Sequence, residues 1–307
     1  MSPILVTAAT GRHGSTGAFV ARTLLELGHP VRVLVRRCDG REQRLERLGA
    51  EIVTGDLQER ASLVSALEGV EVAYFCYPVA GGIVQAAANV AQAGREAGLR
   101  RVVVMSMGAA HPQSPSPLGR SQWLAEQVLE WSGITCCHLR VVAFFYENLL
   151  LLHGHSLRSE GVIRNSFGQI AVNWIAAEDA ARMAVALLLA PGTQTETALY
   201  PSGGERLTHA QVAGVLSEVL GRAIRYEAVE PTVWQRELVA LSAREPAINQ
   251  DMAAHITALS QGGLRLPPLN DVFGRLTGRK AMDLRAFVEK NRDRFQEVST
   301  GGKAMTA

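Results

Sequence analysis

Two rhythms of apolar and polar positions alternate along the first 150 residues. Short β-branched runs (PILVT, VRVLVR, EIVTGDL, VEVAYFCYP, RVVVMSM and TCCHLRVV) are separated by stretches in which apolar residues return every three to four positions, at about 14–27, 41–48, 61–67, 83–97 and 118–131. Strands alternating with helices of this length predict β-α-β units, a parallel sheet and right-handed crossovers. A run such as VVVM has no polar alternation, as expected of a strand covered on both faces.

After about residue 150 the rhythm breaks. LLLLHGHSLRSEGVIRNSFGQ reads as a helix end followed by an irregular excursion. Asn173 to Pro191 then gives a strand and a helix, whose Glu178 and Asp179 suit the positive end of the helix dipole. ALYPSGG predicts a short strand, LTHAQVAGVLSEVLG a capped helix ending at Gly221, AIRYEAV another strand, and 232–295 mostly helix. The expected class is α/β. A Rossmann-type doubly wound parallel sheet takes 1–150, with 173–192 returning to it; a smaller, partly discontinuous C-terminal α/β domain takes 151–172 and 193–296. The segment 297–307 reads as a disordered tail. In this architecture a site is expected outside the carboxyl ends of the strands, in the cleft between domains.

Composition narrows the partners. A net charge of +2 over 307 residues, with no block of like charge, gives no electrostatic case for nucleic acid or an anionic membrane. No run of about 18 apolar residues is present, and no leader pattern opens the chain. Cys38, Cys76, Cys136 and Cys137 form no C-x-x-C pair and read as reduced thiols of a cytoplasmic protein. His111, His153 and His155 have no carboxylate or further histidine clustered with them, so no metal is expected. The expected partner is a small molecule; the oligomeric state stays open, a homodimer among the options.

VTAATGRHGSTG, behind the first strand and ahead of the first helix, places Ala8, Gly11 and Gly14 in a G-x-x-G-x-x-G spacing. Glycines there let the backbone turn tightly and present helix N–H groups to a pyrophosphate. Thr10, Gly11, Arg12, His13 and Gly14 are therefore candidate dinucleotide-binding residues. Ala8 replaces the first glycine and is expected to hold a negative φ. At the end of the second strand, where an acidic residue would bind ribose hydroxyls, the chain has Arg36 and Arg37. Guanidiniums there fork onto a 2′-phosphate, which favours NADP(H) over NAD(H), and Asp39 falls in a loop that carries it away.

VTAATGRHG, GHPVRVLVR, GDL, FYENLL, NWIAAEDAA, LGRAIRYEAV and LTGRKAMDLRAFVEKNRDRF together resemble the NmrA-like branch of the atypical short-chain dehydrogenases. The resemblance implies that Asp56 and Leu57 reach the adenine, that Cys76, Tyr77 and Pro78 line the ribose and phosphate side, and that Ser106 lies near the nicotinamide ribose. It also places the Tyr-Lys catalytic pair of typical short-chain dehydrogenases on Leu118 and Gln122. None of the five tyrosines has a lysine four residues on, and the first lysine of the chain is Lys280. That removes the usual proton donor.

Hydride transfer itself needs only proximity and orientation. Acceptors that become stable anions relax the need for an acid, since a hydroquinone has a phenol-like pKa of about 10. The leading expectation is an NADPH-dependent reductase of a small aromatic, conjugated or quinone-like acceptor. Gln122 would orient a carbonyl and Tyr146 donate a proton, while Phe144, Phe145, Asn148 and Trp174 would line the acceptor site. Two alternatives stay open: a non-catalytic NADP(H)-sensing regulator, as the resemblance also allows, and a tailoring reductase or isomerase of a biosynthetic pathway.

Overall fold

The computed structural model describes residues 1–11, 16–190, 196–262 and 266–296. Its first half keeps the alternation read from the sequence. The elements run β1 (Ile4–Val6), α1 (Thr16–Glu26), β2 (Val31–Val35), α2 (Gln43–Arg47), β3 (Glu51–Thr54) and α3 (Arg60–Leu67). They continue with β4 (Val72–Phe75), α4 (Ile83–Ala97), β5 (Arg101–Met107), α5 (Pro117–Trp131) and β6 (Thr135–Val141). Then follow β7 (Phe144–Phe145), α6 (Glu147–Glu160), β8 (Val162–Asn165), β9 (Val172–Ile175), α7 (Ala177–Leu189), β10 (Ala198–Leu199) and β11 (Glu205–Leu207). The chain closes with α8 (His209–Leu220), β12 (Arg225–Ala228), α9 (Pro231–Leu241), α10 (Gln250–Gln261), α11 (Val272–Thr277), α12 (Leu284–Lys290) and α13 (Arg292–Gln296).

Among the described residues, a seven-stranded sheet runs in the order β10-β6-β5-β4-β1-β2-β3, and all of its pairings are parallel. The order reverses between β1 and β4, which opens the crevice of a doubly wound fold at the strands' carboxyl ends. Thr7 fastens that crevice: its hydroxyl donates to the Cys76 carbonyl at 2.9 Å and accepts from the Cys76 N–H at 2.8 Å. On one face α1 and α7 bury Val20, Leu24, Ala184 and Leu188 against the sheet; on the other, α3, α4 and α5 bury Leu63, Ala87 and Leu129.

Two segments fall differently from the sequence expectation. The stretch read as an excursion is largely regular: α6 occupies Glu147–Glu160, closed by Gly161 at φ 64°, and β8 follows. Four consecutive leucines, Leu149 to Leu152, obscure the helical period, which emerges in the buried set Leu149, His153 and Leu157. Residues 198–199, placed by the sequence in the C-terminal domain, form β10 and extend the large sheet beside β6. Helix α11 likewise buries Val272 and Phe273 in the sheet's core. The remaining C-terminal elements form their own core around Tyr146, Trp174, Trp234 and Phe287, with β7-β9-β11 and β8-β12 as small sheets. The tail expected at 297–307 lies outside the described residues.

Candidate active site

Two cavities meet at the carboxyl edge of the sheet. The first, about 490 Å³, is lined by Ala8, Thr10 and Gly11 after β1, by Arg36, Arg37 and Arg41 after β2, by Asp56 and Leu57 after β3, and by Tyr77 and Pro78 after β4. The structure thus brings together nine of the residues singled out for dinucleotide binding, Cys76 among them. Arg12, His13 and Gly14 lie outside the described residues. Ser106 is elsewhere: it is buried at the end of β5, and its hydroxyl donates to Glu126 on α5. Glu126, itself buried, accepts from Arg140 Nε at 2.9 Å, so a charged network closes that part of the edge.

Backbone geometry shows how the loop does without its first glycine. Ala8 sits at φ 55°, in the left-handed region, and corrects the expectation of a negative φ. Its carbonyl accepts the Gly11 N–H at 3.1 Å, closing a tight turn. A left-handed alanine costs roughly 1–2 kcal/mol. Gly17, not singled out in the sequence, permits α1 to approach: a Cβ there would stand 2.6 Å from the Thr7 carbonyl oxygen. It takes the role of the glycine that gives close helix-to-strand packing.

Electrostatics of the groove favour a multiply charged anion. Asp39 is held by Arg41 at 2.8 and 2.7 Å and by Arg37 at 3.5 Å, and the Arg41 hydrogen bond holds its carboxyl below the usual range. Asp39 is therefore paired within the arginine cluster and is not part of the groove's wall. Arg41, which the sequence reading passed over, also donates to the Thr10 carbonyl at 2.7 Å and so braces the loop. Asp56 turns one oxygen inward to the Gln58 N–H at 2.9 Å. The Tyr77 hydroxyl accepts from Gln58 Nε2 at 2.9 Å and is pushed up by burial.

A second cavity, about 570 Å³, opens beyond Pro78. Met107, Gly108, Val141, Val142, Phe144, Phe145 and Asn148 form one wall, and Met252, His255, Ile256 and Leu259 of α10 the other. Ala143, between Val142 and Phe144, also lines this wall. The α10 wall was missed altogether, although a histidine amid Met252, Ile256 and Leu259 at helical spacing was a legible signal.

Three expected site residues do not reach this cavity. The Tyr146 hydroxyl is buried and donates to Glu205 at 2.6 Å, and burial pushes its pKa far up, so it offers no proton to an acceptor. Trp174 stacks on Tyr146 at 5.9 Å within the C-terminal core, its ring N–H spent on the Leu207 carbonyl. Gln122 is buried on α5 with a partnerless Nε2 and is not in the wall; Leu118, one turn earlier, is also buried. His153 and His209 lie in the aromatic core, and no group of three or more metal-ligating side chains occurs among the described residues.

The model of the NmrA-like family matches residues 1–261. An NAD(P)H azoreductase of Xenophilus azovorans is 32% identical over 295 residues, covering 95% of this chain and 99% of its own. The triphenylmethane reductase of Citrobacter sp., solved with NADP(H), superimposes with a TM-score of 0.79 at 23% identity, over 94% of this chain and 99% of its own. An NADPH-dependent quinone oxidoreductase of Escherichia coli, solved with NADPH, gives 0.77 at 24% identity, over 94% and 99%.

Proposed function

The chain belongs to the NmrA-like family, and from that premise we propose that it is an NADPH-dependent reductase of small, flat, conjugated acceptors of the quinone and azo type. The observation that carries this reading is the pairing of an arginine-lined groove with an apolar cavity at one sheet edge, meeting where Pro78 and Ala80 line the first and Val79 the second. Bound NADPH supplies a hydride. The Ala8–Gly11 turn would face its pyrophosphate, Arg36 with Arg37 and Arg41 its 2′-phosphate, Asp56 and Leu57 its adenine, and Tyr77 and Pro78 its ribose. On the acceptor side Phe144 and Phe145 offer aromatic surface and Asn148 a polar group. The relatives named as reductases of azo compounds, triphenylmethanes and quinones support the same acceptor class.

This reading accounts for what the chain lacks. At the positions where typical short-chain dehydrogenases keep tyrosine and lysine, Leu118 is apolar and Gln122 is no acid. A reduced quinone leaves as an anion that solvent protonates at neutral pH, so no dedicated acid is needed. Titration with NADPH and NADH, followed by NADPH oxidation against naphthoquinone, an azo dye, a cationic triarylmethane dye and an enone, tests it. Tighter NADPH binding and turnover of the quinone or azo dye are expected. Equal NADH affinity refutes the cofactor assignment; binding without turnover of any acceptor replaces the reductase with a dinucleotide-responsive regulator.

A further inference from the structure

The wall that α10 contributes contains a group the reading above has not used. His255 lines the acceptor cavity, and its Nδ1 lies 2.6 Å from the hydroxyl of Ser116, the N-cap of α5. Ser116 is fully buried and already accepts the Gly119 N–H at 3.4 Å. Were Nδ1–H to donate to it, the serine proton would have no acceptor among the described residues. When the hydroxyl donates to Nδ1 instead, every group at the contact is satisfied. Hydrogen-bond accounting thus selects the tautomer with its proton on Nε2. Nε2 is not among the buried polar atoms without partners, whereas His138 and His209 each seal a ring nitrogen in that way.

The surroundings make this nitrogen distinctive. Burial pushes the ring down to about 4, so it is neutral at pH 7 and keeps a single N–H. Most of the cavity's wall is apolar, with Val79, Met107, Val142, Phe144, Met252, Ile256 and Leu259 among its residues. Ser114 also lines the cavity, but its hydroxyl is sealed against Gly119 of α5 and is not offered to a ligand. His255 Nε2 therefore stands as an unspent donor in a mostly apolar wall, the arrangement by which an apolar pocket fixes a ligand's orientation.

We propose that His255 donates a hydrogen bond from Nε2 to the oxygen or nitrogen of a bound aromatic acceptor that gathers negative charge on reduction. A neutral imidazole in a mostly apolar cavity is suited to this: it stabilises the developing anion without transferring its own proton, and solvent completes protonation after release. Ser116 acts through His255 as a positioning residue, holding the tautomer.

The inference rests on the reductase reading only for the chemistry of the ligand, and its test does not need turnover. Naphthoquinone and naphthalene are titrated into the protein, and the His255 ring is read by long-range proton–nitrogen NMR. Expected are an Nε2–H tautomer, naphthoquinone binding about tenfold weaker in His255→Leu with naphthalene affinity unchanged, and recovery in His255→Gln, whose amide can donate. Ser116→Ala should shift the ring toward the Nδ1–H tautomer. An Nδ1–H tautomer in the wild type, or equal loss for the two ligands in His255→Leu, overturns the assignment. Absence of turnover with an intact quinone preference would sink the reductase reading alone.

Discussion

The arginine-lined groove takes its walls from residues 7 to 80, at the ends of four strands of one sheet and in the loops that follow them. The acceptor cavity beside it takes its walls from residues 79 to 266, across a strand end, an aromatic turn and a distant helix. One is polar, assembled by local β-α-β units, and carries charge at its surface. The other is apolar, closed by long-range packing, and adjoins a core in which histidines are buried neutral. Anion recognition tolerates exposed, repeated, sequence-local donors, whereas an apolar cavity exists only once remote segments have packed.

Acid should break this pairing most strongly, and on the acceptor side. Burial holds His153 and His209 down at about 3 and His255 at about 4. Each folded pKa lies below the unfolded value of about 6.5, so the unfolded chain takes up more protons as pH falls below 6.5, and stability is lost down toward about pH 3. Glu147, raised by burial to about 7, runs the other way: its contribution is full below about 4.5 and lost as pH rises through 7. Together they predict a loss of roughly 3 kcal/mol between pH 7 and 5, measured by urea unfolding, and a loss of roughly 5 kcal/mol in Glu147→Gln. A flat profile would mean that the histidines are hydrated.

Cofactor selectivity sharpens the contrast from the other side. Arg36→Ala should weaken NADPH binding by about 10–100-fold, leave NADH nearly unchanged, and leave naphthoquinone affinity alone. An unchanged NADPH preference would transfer the role to Arg37 or Arg41. The smallest effect tests whether Gln122 belongs to either cavity. Gln122→Met removes a buried amide nitrogen without a partner and should raise stability by about 1 kcal/mol, or Tm by about 2 °C, with turnover retained. A fall in turnover would instead give the amide a part in the chemistry.

Legibility followed the same divide. The groove could be read because its residues sit at fixed offsets from strands with clear periodicity: Gly11 after PILVT, Arg36 after VRVLV, Asp56 after EIVTG, Pro78 after AYFCY. Even there Arg41 was invisible, since what matters is a carbonyl it braces across 31 residues. The φ of Ala8 ran against its residue type, because the turn closed by Gly11 overrides local preference. On the acceptor side the sequence identified the aromatic run but not its directions. Tyr146 follows Phe144 and Phe145 by two and one positions, yet its hydroxyl is buried against Glu205. Met252, His255, Ile256 and Leu259 share a helical face that the spacing shows, but which cavity that face closes is set by tertiary packing.

The strip between the two cavities, residues 78 to 81, belongs to the nucleotide half by sequence, yet it is anchored from the far end of the chain. Asn249 Nδ2 donates to the Val79 carbonyl at 3.1 Å, and Asp251 accepts the Gly81 N–H at 2.8 Å. Both anchors belong to the start of the helix that carries His255. In terms of modularity, the first 150 residues are not an interchangeable cassette: a chimera that grafts them onto another C-terminal half takes the strip but leaves its anchors behind.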